Sequence, residues 1–131
     1  MTHKLASALF LLTAISVALG AFGHGHQWSV HVLPALHGLD PAIVELLKLV
    51  WFWVSGAMFT FGVLLVWAWS RLRQGKSQPA VLPAAIGVFY CAEGIYGALY
   101  LGKFFLLFVV QAVLLWVTGW LMRQPPLTSG A

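Results

Sequence analysis

Residues 80–122 read AVLPAAIGVFYCAEGIYGALYL, then Gly102-Lys103, then FFLLFVVQAVLLWVTGWLM. The first part, 80–101, holds one charged residue, Glu93, and the second, 104–122, holds none. A helix needs about 20 apolar residues to cross ~30 Å of hydrocarbon. In lipid it must also satisfy every backbone polar group within its own segment. Two such runs joined by a glycine and a lysine predict a transmembrane helical hairpin with a tight turn at Gly102.

Two further apolar runs precede the hairpin, over 5–22 and 42–69. Asp40 is a good N-cap and Pro41 suits the first helical position, so the start of the second run is well marked. This second run is the longest, so it should tilt or carry its Glu45/Lys48 turn beyond the hydrocarbon. The whole chain of 131 residues is 61% hydrophobic and 8% charged. A soluble domain carries about 25% charge, and a disordered one is poor in apolar residues, so both classes are excluded. The expectation is one all-α domain over 1–131, an integral membrane four-helix bundle. Its helices should fall at 5–22, 42–69, 80–101 and 104–122. An outer loop at 23–41, an inner loop at 70–79 and a flexible tail at 124–131 complete it.

Charge placement sets an expected orientation. Lys4, Arg71, Arg73, Lys76 and Arg123 fall on one side of the spans, against Lys48 and Lys103 on the other. Cytoplasmic segments concentrate Lys and Arg. An up-down-up-down chain with both termini in the cytoplasm follows, and the location reads as a bacterial inner membrane. Trp67 and Trp69 beside Arg71, and Trp116 and Trp120 beside Arg123, sit where interfacial anchors belong. The net charge of +4 comes from scattered residues, with no basic patch interleaved with aromatics, so nucleic acid is not a partner. Met1–Ala21 also resembles a secretory leader, although its apolar run exceeds the usual 7–15 residues. Cleavage there would leave three spans.

Glu93 has no topological reason to exist. A charge in mid-membrane costs about 2.5–3.5 kcal/mol on insertion scales, so such residues usually face the bundle and have a partner. Glu93 lies nine positions before Gly102 and Gln111 nine after it; Thr13 lies nine before Phe22. At 1.5 Å per residue these three reach a similar depth, about 13 Å from the outer turn. Tyr90, one turn from Glu93, offers a hydroxyl to the carboxyl. Glu93, Gln111, Tyr90 and Thr13 are therefore the candidate site, either hydrogen-bonded glue between helices or a ligand- or proton-binding layer. Beside it, Ala84, Gly87, Cys91, Gly94 and Ala98 follow +3, +4 spacing, a small-residue stripe that lets a neighbouring helix approach.

A second candidate lies in the outer loop, where His24, His26, His31 and His37 fall within fourteen residues. Imidazole clusters bind Cu or Zn, and Asp40 or Glu45 would add a carboxylate. The opposing reading is a loop lying on the bilayer surface, since Trp28, Val30, Val32, Leu33 and Leu36 accompany the histidines. No paired histidines for a membrane haem occur, and no phosphate loop, zinc-protease or hydrolase-elbow motif. Cys91 alone reads as a packing residue. Nothing catalytic is legible, and the chain does not read as an enzyme.

In layout the chain resembles the small bacterial four-helix membrane proteins called DoxX-like, with a longer first outer loop and a tight second hairpin. The resemblance is architectural and carries no residue role. It implies an accessory protein that partners membrane redox complexes. The functional expectation is an accessory or assembly subunit of a membrane complex, with other membrane subunits or further copies as partners besides the lipid bilayer. The alternatives are a proton- or small-molecule-handling protein centred on Glu93 and a periplasmic metal handler using the histidine loop.

Overall fold

The computed structural model describes residues 3–124. Among these there is no strand, and four helices are long and apolar enough to cross a membrane. They are α1 (His3–Ala35), α2 (Pro41–Arg73), α3 (Gln78–Tyr100) and α4 (Lys103–Arg123). The sequence marks two of the helix boundaries well. Asp40 Oδ1 accepts from Ala42 N at 2.7 Å with Pro41 in the first position, as the N-cap reading expects. At the hairpin, Leu101 N and Gly102 N both donate to Gly97 O, and Gly102 takes φ +138°, a conformation only glycine adopts readily.

Two boundaries differ from the sequence reading. Residues 23–35 are helical rather than loop, so α1 continues through a π-turn at Trp28–Val32 to Ala35, and only 36–40 connect it to α2. Gly23 and Gly25 lower local helix propensity. Tertiary contacts override it. The His24 ring stacks on Trp51 at 4.1 Å, and buried Trp28 lies 6.2 Å from Trp51 and 6.3 Å from Phe52. At the other end α2 runs on to Arg73, shortening the 70–79 connection. Of the expected tail, 125–131 lies outside the described residues, as do the first two positions of the leader-like segment.

Packing is uneven around the bundle. α1 lies along both α2 and α4, and α3 lies along α4, whereas α2 and α3 meet far less. The α1–α2 seam is tight. A Cβ on Gly62 would stand 2.5–2.6 Å from Ala18, and Trp69 Nε1 donates to Ser7 O at 3.0 Å. The core centres on Phe10, Val17, Leu65, Leu72 and Leu115, all buried. Many other large apolar side chains, Leu12, Leu19, Val63, Val88 and Val117 among them, point outward. Holding them in water would be unfavourable at roughly 25 cal/mol per Å², whereas lipid receives them without that cost.

Candidate functional site on the outward face of α3

The polar layer exists, but with different membership from the sequence expectation. Gln111 is buried on α4, and its Nε2 donates to Ser16 Oγ of α1 at 2.9 Å. Ser16 in turn donates to Thr13 O at 2.8 Å. Thr13 is buried, yet its hydroxyl donates within its own helix, to Leu9 O at 2.9 Å, rather than across the bundle. Ser16 is the member that depth arithmetic missed. It lies three residues beyond Thr13, on the same helix face, so the spacing alone would have found it.

Tyr90 is also buried, packed edge-on against Phe108 at 5.5 Å. Among the described residues, its hydroxyl and Gln111 Oε1 are both buried without a hydrogen-bond partner. Glu93 does not supply one. It is exposed, and among the described residues it takes part in no hydrogen bond or ion pair. Lys48 pairs with Glu45 at 3.4 Å. The expectation that Glu93 turns into the bundle is thus corrected.

The reason lies in helix geometry. Ile86, Tyr90 and Gly97 are buried, and Glu93 belongs to their stripe by spacing but stands on its rim. A small rotation of the helix about its axis is enough to turn it outward. It then joins a different row: Phe89, Glu93, Tyr96 and Tyr100, at +4, +3, +4 spacing and all exposed. Tyr96 and Tyr100 meet at 4.8 Å with their rings tilted by 42°, and Phe89 meets Phe61 of α2 at 5.6 Å. The result is an aromatic stripe with one carboxyl at its centre, facing away from the protein within the depth of the span.

The small-residue stripe has its use inside the chain. Gly87 and Gly94 are buried against α4, where added Cβ atoms would run into the Trp116 indole and, at 2.7–2.8 Å, Val109. Cys91 and Ala98 are half-buried beside them and Ala84 is exposed, its carbonyl accepting from Trp116 Nε1 at 3.1 Å. This face packs α3 on α4 and is not free for a second molecule.

The four histidines do not assemble. His24 is held by Ser55 Oγ at 2.9 Å from Nδ1, and its carbonyl accepts from Trp51 Nε1 at 2.8 Å. His26 and His31 are exposed on the last turns of α1, and His37 lies in the connection that follows. Among the described residues no three His, Cys, Asp or Glu side chains come together as a metal would require. What the histidine region does instead is lock the far end of α1 to α2. No family model, curated protein or solved structure matches the chain, so a functional reading rests on its own side chains.

Proposed function

We propose that the chain is a non-catalytic subunit of an integral-membrane assembly, seated against a neighbouring membrane helix through the Phe89, Glu93, Tyr96 and Tyr100 face of α3. The observation that carries this reading is the outward, unpartnered carboxyl of Glu93 within the span. Left against lipid it would cost about 2.5–3.5 kcal/mol, and membrane acids are retained where a partner or a function removes that cost. Tyrosine and phenylalanine around it supply large contact area and suit an interface core. The partner is a helix that presents a hydrogen-bond donor or a base at the depth of Glu93. In this reading the chain runs up-down-up-down in a bacterial inner membrane. The basic end and both termini are cytoplasmic, because Lys4, Arg71, Arg73, Lys76 and Arg123 outnumber Lys48 and Lys103. The DoxX-like layout belongs to the same proposal.

Native gels of gently solubilised membranes test it. The wild-type chain is expected in a species larger than the monomer, Glu93→Gln in the same species, and Glu93→Leu as monomer. Unchanged migration of Glu93→Leu overturns the reading. A second reading is favoured by the buried, unpartnered Tyr90 hydroxyl and Gln111 Oε1. On it the same region binds a proton or a small polar molecule. Glu93→Gln separates the two, since it preserves assembly but removes the carboxylate.

A further inference from the structure

The end of the bundle opposite His24, His26, His31 and His37 carries a feature that Glu93 does not explain. Arg71, Arg73, Lys76 and Arg123 gather there, while the three acidic residues of the chain, Asp40, Glu45 and Glu93, are all elsewhere. The only ion pair among the described residues is Lys48–Glu45, at the far end. The arginines are positioned by indoles instead of carboxylates: Arg71 lies 5.6 Å from the Trp67 ring centroid and Arg73 4.9 Å from that of Trp69. A guanidinium held over a ring keeps its N–H fork free for an oxyanion.

Two hollows share the 75–77 turn. A smaller one, about 290 Å³, is lined by His3, Arg73, Lys76, Ser77 and Arg123. A larger one, about 730 Å³, opens between α2 and α3, lined by Trp67, Arg71, Lys76, Ser77, Val81 and Leu82. Its chemistry is divided. At one edge stand two cations and the first turn of α3, which has no side-chain cap and so presents the positive end of a 23-residue helix. The other edge is the apolar side chains of Trp67, Val81 and Leu82, with Val81 71% exposed. A phosphate anion fits the first edge and a hydrocarbon chain the second.

We infer that this cleft between α2 and α3 is a binding site for an anionic phospholipid, its phosphate held by Arg71 and Lys76 and an acyl chain lying on Trp67, Val81 and Leu82. Charge complementarity favours an anionic lipid over a zwitterionic one, because among the described residues no Asp or Glu side chain stands there to receive a choline or ethanolamine cation. The apolar edge favours a lipid over free phosphate.

Native mass spectrometry of the full chain released from micelles, with phosphatidylglycerol or phosphatidylcholine added in equal amount, tests this. Phosphatidylglycerol should be retained about tenfold more than phosphatidylcholine, the order expected when a Lys and an Arg face an anionic headgroup. Arg71→Gln with Lys76→Gln should bring it down to the phosphatidylcholine level, and Lys48→Gln with Lys103→Gln, the same charge change at the far end, should leave it intact. Val81→Asp, outside the packed core, should also remove it, which guards against a folding defect in the double variant. Equal loss in both double variants would mean diffuse charge and overturn the site. Displacement by millimolar glycerol phosphate would make it a phosphate site and overturn the lipid.

Discussion

Residue by residue, the chain places its few polar groups with unequal care. Gln111 has one hydrogen bond, to Ser16, and one buried oxygen without any. Losing the partner should therefore hurt more than losing the glutamine. Ser16→Ala leaves the whole amide unpaired and should cost about 1–2 kcal/mol, because a buried polar group stripped of its partner bears its full desolvation. Gln111→Leu removes bond and orphan together and should be close to neutral, since hydrogen bonds within membranes average only about 0.6 kcal/mol. Reversible unfolding in mixed micelles checks the order, and a Gln111→Leu variant less stable than Ser16→Ala would contradict it. Tyr90 and Glu93 show how one turn of helix divides roles. One is sealed in the core, and the other, three residues on, faces outward.

At the scale of elements, the glycines of α3 separate packing from conformation. A Cβ at Gly94 would meet Val109 backbone nitrogen at 2.8 Å, so α3 and α4 would have to part. Gly94→Ala should cost about 1–3 kcal/mol as an overpacked contact. Gly56, on α2, has open space where a Cβ would stand, with nothing within 4 Å, and Gly56→Ala should gain about 0.5–1 kcal/mol from helix propensity alone. Opposite signs in the same unfolding assay are expected; equal effects would mean that α3–α4 contact is not close. The far end of α1 gives a second test. Trp51 stacks on His24, donates to its carbonyl and lies beside Trp28. Trp51→Ala should speed amide exchange across 24–35 and leave α4 unchanged, whereas uniform acceleration would refute a local lock.

Much of this scale was legible in the sequence. The four spans, the Asp40-Pro41 start, the Gly102 turn and the small-residue contact of α3 all follow from local chemistry. What was not legible depended on partners distant in sequence. Residues 23–35 continue as helix because Trp51 and Phe52 of α2 are brought against that segment. Glu93 lies on the border between two helical stripes, where spacing permits either direction and the position of α4 decides. The histidines, close in sequence, are spread along and around a helix, so nearness in the chain does not become nearness in space.

For the whole molecule, unequal lengths define the shape. α1 and α2, at 33 residues each, extend about 50 Å, while α3 and α4, at 23 and 21, extend about 35 and 32 Å. Only the shorter pair matches ~30 Å of hydrocarbon, so the longer pair must tilt or project. The weak α2–α3 seam leaves a cleft on one side of the bundle, with cations at its basic end and the Glu93 stripe further along α3. Most of the exterior is apolar side chains that lipid accepts, and Glu93 is the group it does not. The most direct measurement is photo-crosslinking in native membranes from a benzophenone side chain placed at position 96, beside an intact Glu93. A single discrete protein adduct that disappears with Glu93→Leu is expected; adducts with lipid alone would contradict a membrane partner on this face.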